Sequence, residues 1–366
     1  MAYVRSYTTI PVPKVLDWNA DEHNPIGAEY IIMEHVPGVQ LHDVWPTMKS
    51  HQHMLVTKNL AYAVTEMANL TFPAYGSLYF DTTPNTQAKA ISIPDGFVVG
   101  PNCGRDYWDP IDEGSHGTTL REYTDGLLDA GYARLPNRST ESDVELPYRG
   151  SVGEHVRLLQ ISKSAIKELI KSPLIQESSR PMLLHPDLNK RNIFVSLDDP
   201  TKITAFIDWQ STCIEPTFVY ANETPDLIAT PPALSWITEM DDELLAMADT
   251  SGDRERLERD IWICRQTFEV AIRGFSPKLA AARALDEALL RHFLYCHSSW
   301  QVGAVALRQE LIELSQHWSQ LGLPGSCSYQ PSPGELAEHA KQWDDFETTQ
   351  KFKLFLIRML DSSSDG

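Results

Sequence analysis

The sequence predicts an α+β fold with a small strand-rich N-terminal part and a large, mostly helical C-terminal part. Short runs of β-branched and aromatic residues between residues 12 and 36 indicate strands. Beyond residue 50, apolar residues recur mainly at helical spacing, which predicts amphipathic helices. Two further apolar runs, 193–195 and 203–207, flank a turn and predict a hairpin between the two parts.

The N-terminal segment, residues 1–38, contains several short elements. Its predicted elements are, in chain order, the end of a helix at 1–7, strands at 12–18 and 28–33, and a strand end that runs into a turn at 34–38. Two strands do not make a stable sheet by themselves. We therefore expect either that this segment packs on the rest of the chain or that part of a sheet is missing.

Helices dominate the chain after residue 40. They are predicted at residues 41–45, 53–70, 119–135, 151–170, 238–250, 255–274, 279–294 with a continuation toward 321, and 334–360. Ser151, with Glu154 three residues later, forms a capping box that starts one of them. Residues 81–118 are rich in Pro, Gly, Asp and Asn, and we expect them to form an irregular insertion.

Composition and charge limit the classes of partner. The chain has 366 residues, of which 42% are hydrophobic, and this is typical of a soluble globular protein. Its formal net charge of −19 does not suit binding to nucleic acid or to a membrane surface, because both recruit Lys and Arg. A nucleotide can still bind where a metal ion supplies local positive charge.

The cysteines form no metal or redox motif. Cys103, Cys213, Cys264, Cys296 and Cys327 include no C-x-x-C pair, so neither a zinc site nor a metal cluster is expected. A reducing, intracellular compartment fits this pattern. No apolar run approaches the ~20 residues that span a bilayer, and the first residues lack a hydrophobic signal core.

One stretch, residues 183–210, carries the side chains expected to do chemistry. His185 opens a loop, Asp187 follows, and Asn192 comes five residues after Asp187. The predicted hairpin then delivers Asp208. Because the ends of a hairpin meet, Asn192 and Asp208 are expected to lie close together. Their oxygen atoms are ligands that Mg²⁺ prefers, and Asp187 is placed to accept a proton from a hydroxyl group.

This arrangement matches the H-x-D-x-x-x-x-N catalytic loop and the metal-binding Asp of kinase-type phosphoryl transfer. The alternative is an ordinary polar loop and hairpin, because a five-residue spacing from Asp to Asn is common by chance. The additional histidine, the two strands and the strand-terminal Ile207-Asp208-Trp209 favour the kinase-like interpretation.

The sequence resembles the aminoglycoside phosphotransferase (APH) family, a branch of the protein-kinase-like fold. The motifs that carry the resemblance are HPDLNKRN at 185–192, AFIDWQ at 205–210 and AEYIIMEHVPGVQL at 28–41. Within the family, the segments PVPKVLDWN, NPIGAEYIIMEHVPG and IDWQSTCIEP are most similar to the fungal "altered inheritance of mitochondria" group. The resemblance covers most of the chain, and it assigns no individual residue after about residue 235.

The resemblance implies roles for residues of the loop and hairpin. Asp187 would be the catalytic base or the residue that orients the hydroxyl. His185 would be a structural histidine that supports the metal-binding segment. Asn192 and Asp208 would hold Mg²⁺.

The resemblance also implies a nucleotide site and a location. Glu34, His35 and Val36 would form the hinge that meets the adenine of ATP through backbone groups. ATP and Mg²⁺ would be the cofactors, and the acceptor would be a small molecule. The family group implies a mitochondrial location, with the cytoplasm as the alternative.

The sequence departs from the family pattern at its start. In the family, a phosphate-covering loop, a strand lysine and a helix glutamate precede the part that aligns with Val12. Here eleven residues precede it, and Lys14 lies on the following strand. Residues 1–38 are therefore expected to be the remnant of an N-terminally truncated N-lobe, and 39–366 the helical C-lobe. Because phosphoryl transfer depends on positioning and charge neutralisation, we expect these 366 residues to transfer phosphate poorly.

Two classes of function stay open. The first is a small-molecule kinase, in which Asp241, Asp242 and Glu243 could meet a cationic acceptor, although a solvated acidic helix face explains them better. The second is a pseudokinase or scaffold that binds a partner or a nucleotide without transferring phosphate. A metal-dependent phosphohydrolase is a weaker alternative, because no His/Asp cluster for two metals is visible.

Overall fold

The computed structural model describes residues 1–83, 90–104, 117–136, 148–220, 224–228 and 251–364. The chain divides into two compact units. The first comprises Met1–Pro73, Ser77–Gly100 and Pro181–Ala284, and the second Ala74–Gly76, Pro101–Arg180 and Leu285–Gly366. The predicted helix at 238–250 lies outside the described residues, and so do the acidic residues within it. The boundary expected at residue 38 stays a prediction.

Helices and short strands occur together, which confirms the predicted α+β class with few strands and a helical C-terminal region. The strands are β1 Val15–Asn19, β2 Tyr30–Met33, β3 Val39–Gln40, β4 Ser77–Phe80, β5 Ile91–Ile93, β6 Phe97–Gly100, β7 Pro181–Leu183, β8 Ile193–Val195, β9 Ile203–Phe206 and β10 Ile214–Pro216. The helices are α1 Ala2–Tyr7, α2 Leu41–Val44, α3 Ser50–Asn69, α4 Leu120–Ala133, α5 Val152–Leu169, α6 Pro173–Glu177, α7 Ser251–Phe275, α8 Pro277–Arg283, α9 Glu287–Tyr295, α10 Ser299–Val302, α11 Ala304–His317 and α12 Pro333–Ser364. A 3₁₀ turn, Trp45–Thr47, follows α2.

The long helix α3 organises the first unit. Its buried residues include Val56, Leu60, Val64 and Met67, at the helical spacing expected of a core-facing stripe. The helix packs against α7 and also contacts β7 and β9. Since β7 leads into residues 184–192 and β9 leads into Asp208, one helix supports both approaches to the predicted site.

The predicted hairpin is present as β8 and β9, which pair antiparallel with Ile193 opposite Phe206. Strand β3 adds to the free edge of β8, so the sheet order is β3-β8-β9. The chain enters β3 at Gly38, which has φ +105°, and a Cβ there would collide with the carbonyl oxygen of Val195. This approach therefore requires glycine.

The N-terminal segment is tied to the rest of the first unit. The amide and hydroxyl of Thr9 both donate to the Glu66 carboxylate of α3, each at 2.6 Å. The amide of Phe206 donates to Pro11 O at 2.9 Å. These bonds connect residues before β1 to α3 and β9, in agreement with the expectation that the segment packs on the rest of the chain.

Strands β1 and β2 form a separate two-stranded antiparallel sheet. Large apolar side chains on this sheet are exposed, namely Leu16, Trp18, Ile31 and Ile32. Exposed apolar clusters of this kind mark surfaces that can bind a partner.

Residues 91–100 correct the prediction of an irregular insertion. They form β5 and β6, which join β4 in a sheet of order β4-β6-β5. Asp95 and Gly96 at the turn have φ of 62° and 76°, a left-handed conformation that an Asp-Gly pair adopts readily. All four residues of β6 are buried, and this burial stabilises the sheet. The rest of the predicted insertion includes 84–89 and 105–116, which lie outside the described residues.

The second unit is helical. Ser151 Oγ accepts from the amide of Glu154 at 3.2 Å, which confirms the predicted start of α5. Helix α5 packs against α4, α9 and α11, and α11 packs against α12. The region predicted as one or two helices after residue 279 contains four: α8, which belongs to the first unit, and α9 to α11. Asp286 caps α9, and Gly303, which has φ +125°, directly precedes α11.

No helix among residues 1–83, 90–104, 117–136, 148–220, 224–228 and 251–364 is long and apolar enough to cross a bilayer. The five cysteines form no disulfide bond, and Cys103 is the exposed one.

Candidate active site

The predicted catalytic loop connects β7 to β8 and is fixed at both ends. Strand β7 pairs with β10, with Leu183 opposite Ile214, and β8 pairs with β9. Both Leu183 and Ile193 are buried, so the loop leaves one core position and enters another. The polar residues between them are thereby held at the surface of the first unit.

The Asp187 carboxylate is oriented by two amide side chains. Asn189 Nδ2 donates to Oδ1 at 2.7 Å, and Asn192 Nδ2 donates to Oδ2 at 2.9 Å. Asn192 Nδ2 also lies 3.1 Å from the Asp187 carbonyl oxygen, to which it donates. Asp187 itself is exposed. Its carboxylate is therefore fixed in direction and still open to a solute.

His185 bridges the loop and the hairpin. Its buried ring accepts from the amide of Asp187 at Nδ1 (3.1 Å) and donates from Nε2 to the carbonyl oxygen of Ile207 (2.8 Å). The ring also packs edge-on against Trp209, with centroids 4.7 Å apart. Burial lowers the pKa of His185, against the opposing effect of its hydrogen bond to Ile207. The neutral ring is the form that can both accept and donate in this way.

The hairpin β8–β9 brings Asn192 and Asp208 to the same end of its two strands. The amide of Ile207 donates to the carbonyl oxygen of Asn192 at 3.0 Å, so the residue before Asp208 is bonded directly to Asn192. Asp208 has φ +61°, a left-handed conformation that Asp tolerates better than bulkier residues. The indole N–H of Trp209 donates to Phe206 O at 2.9 Å and closes the turn behind it.

The donor atoms at this end fit a hard cation. In the described part of the chain, no group of three or more His, Cys, Asp or Glu side chains is arranged to hold a metal ion. Mg²⁺ does not require such a group, because it binds one or two protein oxygens and takes the rest from phosphate and water. The amide oxygen of Asn192 and the carboxylate of Asp208 supply ligands of that type.

The predicted hinge lies beside the hairpin without joining the loop. The amide of Glu34 donates to Lys14 O at 2.9 Å, and its carboxylate accepts from the Lys14 amide at 3.1 Å. His35 is exposed and Val36 half-buried. The next residue, Pro37, accepts from Thr204 Oγ1 of β9 at 2.7 Å. The adenine-binding role of these residues stays a prediction.

A cavity of about 140 Å³ within the first unit opens beside Asp187. Its walls are mostly apolar, with charged groups at Asp187, Asp226 and Arg283. Lining side chains include Val64, Leu184, Leu188, Tyr220, Phe268 and Leu279. The Arg283 guanidinium is paired with Glu269 at 2.6 Å. The cavity can therefore receive a compact molecule next to the oriented carboxylate.

The sequence analysis missed two residues of this site. Asn189 orients Asp187, and its Oδ1 also accepts from the amides of Arg191 and Asn192 at 2.9 and 3.1 Å. An Asn two residues after a loop Asp is a signal for such a local turn. Asp226, which lines the cavity, bonds to Lys190, 36 residues earlier in the chain. No local pattern indicates that contact.

Comparison with known proteins agrees with the resemblance seen in the sequence. Residues 109–218 match the model of the phosphotransferase enzyme family, APH. A subtelomeric hrmA-associated cluster protein of Aspergillus fumigatus is 29% identical over 260 residues, which cover 60% of this chain and 50% of the relative. Altered inheritance of mitochondria protein 9 of Lachancea thermotolerans is 25% identical over 383 residues, 91% of this chain and 60% of that protein. The chain thus spans about half the length of the first of these relatives.

The solved structures to which the chain is similar include aminoglycoside phosphotransferases. One is the type VIII aminoglycoside-3'-phosphotransferase, with a TM-score of 0.33, 18% identity, and coverage of 80% of this chain and 77% of that one. Another is APH(3'')-Id from Streptomyces rimosus in complex with ADP and streptomycin, with a TM-score of 0.34, 17% identity, and coverage of 82% and 79%. Likeness at this level carries no conclusion about individual residues.

Proposed function

We propose that the chain is an ATP- and Mg²⁺-dependent phosphotransferase that acts on a hydroxyl group of a small molecule. One observation carries the proposal: the Asp187 carboxylate, fixed by Asn189 and Asn192, faces a cavity, while Asn192 and Asp208 meet at one end of the hairpin. The family match over residues 109–218 supports the same class of reaction.

The loop would orient the acceptor hydroxyl and accept its proton. An acceptor hydroxyl in the cavity would donate its hydrogen to Asp187, whose two oxygens are held by Asn189 and Asn192. His185 keeps the backbone of Asp187 bonded to the backbone next to Asp208. Positioning of this kind contributes most of the rate in phosphoryl transfer.

Asn192 and Asp208 would hold the metal ion. When bound, Mg²⁺ would supply positive charge that neutralises the phosphates of the nucleotide. The chain supplies an amide oxygen and a carboxylate from adjacent strands, and the bond between Ile207 and Asn192 fixes their separation. Glu34, His35 and Val36 would meet the adenine.

The acceptor is proposed to be compact. A cavity of about 140 Å³ accommodates a molecule much smaller than a typical drug-sized ligand. We also propose a mitochondrial location, because the altered inheritance of mitochondria relatives are named as mitochondrial proteins. Imaging of the tagged protein beside a mitochondrial dye tests this, and a diffuse cytosolic signal would contradict it.

Turnover of ATP by residues 1–366 tests the function. We expect slow Mg²⁺-dependent turnover, in line with the poor transfer that the sequence predicts, and a further decrease of about a hundredfold or more in Asp187→Asn, since the variant keeps the shape but loses the base. Asp198→Asn, at the exposed far turn of the same hairpin, is the matched control and should behave as wild type. Equal rates for Asp187→Asn and wild type would reject the assignment.

A binding protein without phosphoryl transfer is the alternative. It is favoured by the exposed apolar residues of β1 and β2, among them Trp18 and Ile31. Wild-type protein that is stabilised by Mg²⁺-ATP yet turns over no ATP would support this alternative.

A further inference from the structure

We propose that Asp226 is a positioning residue that holds the catalytic loop, residues 185–192, in place through Lys190. The inference rests on the proposed function, because it concerns the loop that carries Asp187 and Asn192. It adds a residue from a different part of the chain to the machinery of the site.

Both oxygens of the Asp226 carboxylate bond to one residue. Oδ1 accepts from the backbone amide of Lys190 at 3.0 Å, and Oδ2 lies 2.7 Å from Lys190 Nζ. Hydrogen bonds with an ionised partner are about twice as strong as neutral ones. The carboxylate therefore fixes the main chain and the side chain of Lys190 together.

Lys190 bonds the middle of the loop to two other segments of the chain. The amides of Arg191 and Asn192 are satisfied within the loop by Asn189 Oδ1. The amide of Lys190 instead donates to Asp226, and its carbonyl oxygen accepts from the amide of His42 at 3.1 Å. Both backbone groups of Lys190 are thus anchored to other segments of the first unit.

The chain that follows Asp226 is anchored in the first unit. The next residues, Leu227 and Ile228, are almost completely buried. The carbonyl oxygen of Ile228 accepts from Nε and Nη2 of Arg265 in α7, at 3.2 and 3.1 Å. A continuous set of bonds therefore runs from α7 through Asp226 to the catalytic loop.

The surroundings of the pair favour a fixed geometry. The Lys190 side chain is 19% exposed and that of Asp226 is 40% exposed, so the pair is partly screened from water. Lys190 Nζ also lies over the Trp45 ring, 5.5 Å from its centroid. Asp226 faces the same cavity as Asp187. We infer that loss of the carboxylate would let the loop shift relative to a molecule in the cavity.

Three variants separate the ion pair between Asp226 and Lys190 from the hydrogen bond between Asp226 and the Lys190 amide. Asp226→Ala removes both, Lys190→Met removes the ion pair but keeps the backbone bond at residue 190, and Asp226→Asn keeps an oxygen that can accept that bond. Hydrogen exchange of the residue 190 amide and Mg²⁺-dependent ATP turnover are measured for each. Lys171→Met is the matched control, because it removes an ion pair to Glu168 that is also 2.7 Å long, in the second unit.

We expect exchange at residue 190 to be fastest in Asp226→Ala, and slower in Asp226→Asn and Lys190→Met. The kcat of Asp226→Ala should fall about tenfold to a hundredfold, because small misplacements of catalytic groups have effects of that size. Its KM for ATP should stay within about threefold, since Asp226 is proposed to act on the loop and not on the nucleotide. Asp226→Asn should recover part of the kcat. Circular dichroism checks that each variant is folded.

Unchanged exchange and unchanged kcat in Asp226→Ala would overturn the proposal, and so would an Asp226→Asn variant no better than Asp226→Ala. Wild type that turns over no ATP would reject the proposed function, and the kinetic part of this inference with it. The exchange measurement would then still decide whether the loop depends on Asp226.

Discussion

His185 Nε2 donates a hydrogen bond to the carbonyl oxygen of Ile207 at 2.8 Å. Because Nδ1 of the same ring accepts from the amide of Asp187, the imidazole joins the backbone beside two carboxylates of the candidate site. A protonated ring could not accept at Nδ1, and burial keeps the pKa of His185 below its ordinary value. The relative position of Asp187 and Asp208 therefore depends on a neutral histidine.

Replacement of His185 by Phe should damage the site while keeping the ring. The change removes both hydrogen bonds of the buried ring and leaves the Ile207 carbonyl without this donor, at a cost of about 1–3 kcal/mol in the free energy of unfolding. We expect kcat for ATP turnover to fall about tenfold to a hundredfold. His51→Phe, at an exposed position of α3, is the control, and a variant at His185 with normal kcat would contradict the assignment.

Replacement of Asp208 by Asn should abolish stabilisation by Mg²⁺-ATP. Asn tolerates the left-handed conformation at this position, so the fold should be kept while the charge that attracts the cation is lost. A thermal-shift titration with ATP and Mg²⁺ measures this. Asp198→Asn should shift as wild type does, and an undiminished shift in Asp208→Asn would show that the cation is held elsewhere.

Replacement of Gly38 by Ala should destabilise the first unit. Gly38 has φ +105° and its Cβ would meet the Val195 carbonyl, whereas Gly27 has φ +76° with no atom within 4 Å of an added Cβ. Gly27→Ala thus measures the backbone strain, about 1–2 kcal/mol. We expect Gly38→Ala to cost clearly more in urea unfolding, because the β3–β8 pairing must shift. If both substitutions lower the free energy of unfolding equally, the clash with the Val195 carbonyl is relieved without loss of stability.

Replacement of His292 should change how stability depends on pH. Burial lowers the pKa of His292 from 6.5 to about 4. Between these values the unfolded chain takes up a proton that the folded chain does not, so the free energy of unfolding falls as pH drops from 6.5 toward 4. His292→Gln should flatten this slope, by about 1–3 kcal/mol over the interval. An unchanged slope in urea titrations across the interval would contradict the burial effect.

Replacement of Glu310 tests a raised pKa, the opposite of the shift at His292. Burial raises the pKa of Glu310 from 4.5 to about 7, although Arg291 opposes the shift. The folded chain keeps this proton where the unfolded chain loses it, so the stabilisation is complete below pH 4.5 and disappears as pH rises through 7. Glu310→Gln should gain about 1–2 kcal/mol relative to wild type at pH 8 compared with pH 5. Urea unfolding of both proteins is compared at the two pH values. If the difference in free energy of unfolding between Glu310→Gln and wild type is the same at both, the raised pKa of Glu310 is refuted.

The elements that the sequence predicted are those with local signals. The hairpin β8–β9 followed from two apolar runs and a turn, and the start of α5 followed from Ser151 and Glu154. The spacing of His185, Asp187 and Asn192 indicated the loop, and the structure brings these residues together. Their chemical roles stay predictions that the variants above test.

Two features were not predicted from the sequence: the β5–β6 hairpin and the contact between Lys190 and Asp226. The β5–β6 hairpin was hidden by its polar neighbours, although Asp95-Gly96 is a recognised turn signal. The contact between Lys190 and Asp226 joins residues 36 positions apart, and the segment that carries Asp226 is bonded to Arg265 of α7. Periodicity cannot indicate such a contact because it reports on one element at a time.

The hairpin β8–β9 has its site residues at one end and its turn at the other. Leu197, at the turn end, is 74% exposed, and the backbone bond between Ile207 and Asn192 holds the other end independently of it. Evolution could therefore lengthen this turn without disturbing the proposed metal ligands. The same separation makes the position after Leu197 suitable for inserting a fluorescent reporter into an otherwise intact protein.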